Sequence, residues 1–298
     1  GDNWIVWGDL AQIDNENSSD KANLWKYWLD YILHYAELGI RGFRCDAAYQ
    51  VPSSLWEYLI KEVKKVYPDA VFLAETLSCA PDKIIDIIDS GFDIVMNSFK
   101  WWDFNAEWFL KDYNQWVEKG SSMTFPENHD TERFAAEYDN DSKKAVCYYA
   151  IEAYFCSSIA ITIGFEYGFK KKIEVTKTSP SDYEEINYDI VEEIRMINEI
   201  KEKYDIFKED NFIEIYNFNN SNIFSFLKTG RDKSEKIFII ANINTKEGTD
   251  IKVPEMFSVF GTENIKDISH GYRMDEISNN FDYYLQPGEV KLFYGKLD

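Results

Sequence analysis

The feature that most constrains this chain is an alternation, repeated along its first two thirds, of short apolar runs with helix-length amphipathic segments. Residues 19–38 carry Leu24, Trp28, Tyr31, Tyr35 and Leu38 at steps of four and three, which predicts the apolar face of a helix, with Gly39 as its C-terminal stop. The run Ile40–Asp46 fits a strand. Pro52-Ser53-Ser54 opens a second helix, with Ser54 and Glu57 at capping-box spacing and Trp56, Leu59, Ile60, Val63 and Val66 on its apolar face. Pro68-Asp69 breaks it, and Val71–Glu75 reads as a buried strand. The same reading predicts helices at 81–90, 105–118, 141–157 and 189–203, and strands at 92–97, 121–125 and 159–163. Strands separated by helices cannot be joined as hairpins. They pair in parallel, and helices cover the sheet.

From about residue 211 the period changes to two, over 212–218, 223–227, 237–243 and 290–294, with turn residues at Asn219-Asn220, Gly230 and Pro287-Gly288. The expected organisation is an α/β part over 1–208 followed by an antiparallel β-sandwich over 209–298.

Composition removes several function classes. Asp and Glu number 53 against 32 Lys and Arg, a formal charge of −21, which argues against a nucleic-acid or anionic-membrane partner. No apolar run reaches the length of a membrane span. The cysteines Cys45, Cys79, Cys147 and Cys156 form no C-x-x-C pair, and His34, His129 and His270 are far apart, so no zinc cage is expected. Sparse cysteines that read as small core residues suit a reducing compartment, and the expected location is cytoplasmic. Aromatic residues make up 17%, which suits an apolar core and also flat platforms for sugar rings.

Three predicted strands end in acid-bearing segments. In Gly42-Phe43-Arg44-Cys45-Asp46, strand alternation puts Arg44 and Asp46 on one face and Cys45 on the other. A cation beside a carboxylate favours its ionised form, as a nucleophile requires, although a buried structural ion pair has the same spacing. Glu75 ends Val71-Phe72-Leu73-Ala74-Glu75 with no basic neighbour in sequence; apolar surroundings would keep such a group protonated, as a general acid needs. An ordinary acid at a strand mouth is the plain alternative. Phe125-Pro126-Glu127-Asn128-His129-Asp130 follows a third strand, and spacing does not decide whether Glu127 or Asp130 faces a cleft. Paired carboxylates in opposite protonation states, presented at strand ends of a (β/α) barrel, are the equipment for cleaving a glycosidic bond.

Together these segments resemble the α-amylase family of retaining glycosidases and transglycosidases. Gly42–Asp46 is similar to that family's G-F-R-x-D motif, and Phe125-x-x-Asn128-His129-Asp130 to its F-x-x-N-H-D motif. The resemblance implies Asp46 as nucleophile with Arg44 beside it, Glu75 as general acid/base and Asp130 as third carboxylate. Asn128 and His129 would contact substrate hydroxyls. Ile161–Gly168 resembles the family's eighth-strand end, and Trp7-Gly8-Asp9-Leu10 the segment before strand four. In a retaining site the two reacting carboxyl groups stand ~5–5.5 Å apart.

Two departures qualify the resemblance. Tyr49 and Gln50 stand where the family commonly has Lys and His, which removes the usual glucan contacts and leaves a calcium site unsupported; no cofactor is expected. Tyr49, Trp101 and Trp102 could replace those contacts as stacking platforms, with core packing the alternative for the Trp pair. The chain also shows five strands of a (β/α)8 TIM-type barrel, not eight, so the expected fold is an incomplete barrel followed by a β-sandwich. A longer parent chain or a partner supplying the rest is implied. The expected substrate is an α-linked glucan or malto-oligosaccharide, with hydrolysis and glycosyl transfer both open. The alternative is a non-catalytic amylase-like module for glucan binding or assembly. A lyase or aldolase on a similar barrel lacks a Schiff-base Lys at a strand end.

Overall fold

The computed structural model describes residues 11, 13–104 and 106–297. It divides into two compact units, one ending at Val95 and the other beginning at Met96.

In the first unit, α1 (Lys21–Glu37) ends at Gly39, whose φ of +101° favours glycine because other residues would strain there. Then come β1 (Gly42–Cys45), α2 (Ser53–Val66), β2 (Val71–Glu75) and α3 (Pro81–Asp89). β1 and β2 pair in parallel, Gly42 opposite Val71 and Cys45 opposite Ala74, so their C-terminal ends finish side by side. Leu55, Leu59, Ile60 and Val63 of α2, Phe72 and Ala74 of β2, and Ile84 and Ile87 of α3 are buried.

Two local expectations change. The capping box at Ser54 and Glu57 does not form: α2 starts at Ser53, with Pro52 at the N-cap, two residues before Ser54, and no side-chain cap hydrogen bond. Val66 lies outside the packed face, at 59% exposure. On α1 the expected stripe holds only at its start: Leu24 and Trp28 are partly covered, but Tyr31, Tyr35 and Leu38 are exposed. The covered face includes a second stripe of partly covered Trp25, Leu29 and Ile32 with buried Ala36. Trp25 meets Tyr58 of α2 with ring centroids 5.5 Å apart. Both stripes have helical spacing, so periodicity alone could not choose between them.

The second unit takes up the chain within β3 (Ile94–Met96), followed by α4 (Trp108–Trp116), β4 (Ser121–Thr124), α5 (Phe134–Glu137), α6 (Ser142–Phe155), β5 (Ser158–Ile159) and α7 (Val191–Lys203). α6 is capped by Asp141, whose side chain accepts from Lys144 N at 3.0 Å. It is buried nearly all round, from Ala145 to Phe155, as a helix apolar on every face must be. β5 is shorter than its apolar run: Ile161 and Ile163 lie beyond it, 41% and 62% exposed. Within the second unit β4 and β5 pair in parallel, Met123 opposite Ser158 and Thr124 opposite Ile159, and among the described residues no closed barrel forms.

The rest of the second unit is β6 (Ile213–Ile215), β7 (Ile223–Thr229), β8 (Glu235–Asn242), β9 (Thr249–Val253), α8 (Met256–Phe260), β10 (Ile265–Asp267), β11 (Phe281–Leu285) and β12 (Val290–Lys296). A five-stranded antiparallel sheet, β10-β12-β8-β7-β6, and a two-stranded one, β11-β9, share a core of Phe238, Ile240, Ile251, Val253, Met256, Phe260, Leu285 and Phe293. Antiparallel sheets are therefore present beyond residue 209. The compact units nevertheless do not part there. Asp210 is buried and accepts from Tyr113 Oη at 2.7 Å, Ser122 N at 2.6 Å and Ser157 N at 3.2 Å, which ties the junction to α4, β4 and the end of α6.

Candidate active site

In the first unit the alternation of β1 is as read. Gly42, Arg44 and Asp46 are exposed, and Phe43 and Cys45 are partly covered. Arg44 Nη1 donates to Asp46 Oδ1, with the side chains 34% and 72% exposed, so this is no buried structural pair. Ala47 follows at φ +40°, ψ +46°, a left-handed conformation that costs an L-residue about 1–2 kcal/mol. That turn aims the Ala47 N–H at Glu75, whose Oε2 accepts it at 2.8 Å. Glu75 Oε1 also accepts from Leu77 N at 3.2 Å, and the residue is buried. Its carboxyl is thus held by two backbone N–H groups where a purely apolar surround was expected. The bond from Ala47 joins the turn after Asp46 directly to Glu75.

Tyr49 lies in a 3-10 turn just beyond, near enough to Glu75, Cys79 and Asp46 that their charge adds to burial in raising its phenol above the ordinary range. Burial, followed by the charge of Glu75, pushes the Cys79 thiol up to about 11, and burial takes Cys45 to about 12, so neither is an activated thiol.

In the second unit, the loop after β4 settles which acid faces outward. Asp130 has a side chain 70% exposed, with Oδ2 at 3.3 Å from His129 Nε2, whereas Glu127 is buried against Arg133. Asn128 Oδ1 accepts from both Asp130 N and Thr131 N at 3.0 Å, so the Asn128 side chain shapes the loop that carries His129 and Asp130. The Trp pair divides. Trp101 is half exposed, its ring edge-on to Phe125 at 5.9 Å. Trp102 is buried, stacked on Phe109 at 4.9 Å and donating Nε1–H to Ala106 O, so it cannot offer a platform to a sugar: here core packing is the outcome. Beyond β5, Gly164 and Gly168 have φ +92° and +68°, and a Cβ on Gly168 would meet the Tyr188 ring. Trp7–Leu10 lie outside the described residues.

Sequence reasoning missed Ala47, Leu77, Lys100 and Arg133. A backbone N–H leaves no signature in a residue pattern, and the partners of Lys100 and Arg133 depend on how loops fold back. Among the described residues no three His, Cys, Asp or Glu side chains gather as metal ligands, and no helix is long and apolar enough to cross a membrane.

No family model matches the sequence. The alpha-1,4-glucan:maltose-1-phosphate maltosyltransferase of Cereibacter sphaeroides is 24% identical over 241 residues, covering 74% of this chain and 39% of that protein. The enzyme of the same name from Rhodospirillum rubrum is 36% identical over 87 residues, 29% of this chain and 12% of that protein. The chain thus spans well under half the length of these curated relatives. Among solved structures, the alpha-amylase from H. orenii aligns with a TM-score of 0.74 at 16% identity, covering 94% of this chain and 66% of that one. The trehalose-6-phosphate hydrolase of Bacillus licheniformis aligns with a TM-score of 0.70 at 16% identity, covering 93% and 69%. By name these matches are a maltosyltransferase, an alpha-amylase and a trehalose-6-phosphate hydrolase, and they show the resemblance to the α-amylase family that three sequence motifs first carried.

Proposed function

We propose that this chain contributes strands four to eight of a (β/α)8-type barrel, with the β-sandwich that follows, to a retaining glycosidase or transglycosidase acting on α-linked glucans. The observation that carries the proposal is the joined acid pair of the first unit: exposed Asp46 just past β1, buried Glu75 closing the neighbouring β2, and the Ala47 N–H linking them. Asp46, paired with Arg44, attacks the anomeric carbon and displaces the leaving oxygen, which Glu75 protonates. Glu75 then removes a proton from the acceptor, which attacks the glycosyl-enzyme and restores the original configuration. Asp130 and His129 bind ring hydroxyls and favour the cation-like ring, and Tyr49 and Trp101 offer faces to neighbouring sugars. The curated relatives carry the name maltosyltransferase, which favours a sugar as acceptor.

The test is turnover by the full natural chain on malto-oligosaccharides, with and without maltose 1-phosphate, following products and anomeric configuration by NMR. Retention of the α configuration and a loss of roughly a thousandfold or more in kcat with Asp46→Asn are expected. Phosphate release only in the presence of a glucan acceptor identifies transfer. Glucan binding with no turnover in either protein would replace this reading with the non-catalytic module.

A further inference from the structure

The loop that presents Asn128, His129 and Asp130 is closed from behind by a buried ion pair that no step of the proposed reaction uses. Glu127 and Arg133, six residues apart, face each other with Arg133 Nε 2.7 Å from Glu127 Oε1, and their side chains are 1% and 3% exposed. The Phe134 N–H donates to the other oxygen of Glu127, so the carboxylate holds both the guanidinium and the start of α5. Two further bonds reach across to the segment after β5. Thr162 Oγ1 donates to Glu127 O at 3.1 Å, and Arg133 Nη2 donates to Ile163 O at 3.0 Å. The loop is therefore pinned at both feet to one neighbouring strand end. Between those feet, Asn128 Oδ1 holds the amides of Asp130 and Thr131.

Charge is not what a packed interior needs at this place. A buried pair of this kind commonly adds little net stability over apolar residues of similar volume, because desolvation offsets the attraction. What it adds is a tether: Arg133 Nε and Glu127 Oε1 meet as an ion pair without hydrogen-bond geometry, while Arg133 Nη2 holds Ile163 O and the other Glu127 oxygen holds the Phe134 N–H. Lys100 lies close by, its side chain 7% exposed, over the rings of Phe134 and Tyr138 at 5.4 and 5.7 Å, and ion-paired to Glu137 at 2.6 Å. The base of the loop thus rests on a second cation tied to α5.

We propose that Glu127 and Arg133 are positioning residues, whose ion pair fixes the height and orientation of the Asn128–Asp130 loop and so of the third carboxylate. The kinetic part of this inference rests on the glycosidase reading; the structural part does not.

The experiment replaces the pair by apolar groups of similar size, Glu127→Met with Arg133→Met, in the full natural chain. Thermal melting, amide hydrogen exchange at Asp130 and Thr131, and kcat and KM on malto-oligosaccharides are then measured. The expected result is a melting temperature near that of the parent, exchange at those two amides faster by about tenfold or more, and kcat lower by roughly 10–100-fold with little change in KM. Arg133→Lys keeps the charge and loses the fork, and is the second variant should the double one not fold. Local acceleration of exchange at the same two amides is expected there also. Unchanged exchange at Asp130 and Thr131 in a folded variant, or undiminished kcat, overturns the proposal. A parent chain without turnover removes the glycosidase reading, and the exchange measurement then decides the positioning role by itself.

Discussion

At the scale of single residues, the buried carboxyl of Glu152 carries the clearest consequence. It sits on α6 with its Oε2 accepting from Thr124 Oγ1 at 3.2 Å, and burial pushes it up to about 8, against the pull of Lys100 and of that hydrogen bond. The sign follows from proton counting. Between its ordinary value of 4.5 and about 8 the folded chain holds a proton that the unfolded chain has released, so this group's contribution is fully present below 4.5 and is lost as pH rises to about 8. The loss is on the order of a few kcal/mol. Urea unfolding at pH 5 and pH 8 should show it, and Glu152→Gln should flatten the difference while stabilising the chain at pH 8. An unchanged pH dependence in that variant would place the loss elsewhere. Ala47 illustrates the other kind of residue-scale information. Nothing in Asp46-Ala47-Ala48 announces a left-handed alanine, because the conformation is imposed by the hydrogen bond its N–H makes to Glu75, 28 residues further on.

At the scale of elements, adjacent tryptophans on one turn have opposite fates. Trp102 packs among Phe99, Phe104, Phe109, Phe155 and Phe224, and Trp102→Ala should cost about 3–5 kcal/mol in denaturant unfolding. Trp101→Ala should cost under about 1 kcal/mol and, on the proposed function, should raise KM for longer malto-oligosaccharides. Equal destabilisation by the two would contradict the burial difference. The period-3.6 and period-2 patterns located most helices and strands to within a few residues. They left out β9, β10 and β11, short strands whose partners lie far away in sequence. The shift of the covered face of α1 beyond Trp28 has a related origin, since its two candidate stripes are both apolar and the ring contact with α2 lies on the second.

At the scale of the whole molecule, the α/β part of the second unit and the β-sandwich are joined by ring packing, Phe104 on Phe224 and Phe155 on Phe226, and by buried polar ties. Lys228 on β7 is fully buried and donates to Phe155 O at 3.1 Å; burial pulls its ammonium down, while Asp210 is the foremost group opposing that shift. Lys201 closes the end of α6 by donating to Ala153 O and Cys156 O at 2.6 Å and to Phe207 O at 2.8 Å. Asp210→Ala removes the counter-charge of Lys228 and the acceptor of Tyr113 and Ser122 together, and should cost about 3–5 kcal/mol. Calorimetry should show the second unit melting in one transition, at a lowered temperature in the variant; a separate early transition for the sandwich would sink this coupling. The sequence by itself determined the parallel-then-antiparallel order, the positions of Asp46 and Glu75 at strand ends and of Asp130 in the loop that follows a strand, and the resemblance to the α-amylase family, because periodicity and short motifs are local properties of the chain. Only the tertiary structure decided that Glu127 turns inward and Asp130 outward, that Trp102 is core, and that an N–H from a strained turn holds Glu75. Those outcomes depend on which distant group reaches each polar atom first, and no local pattern records that.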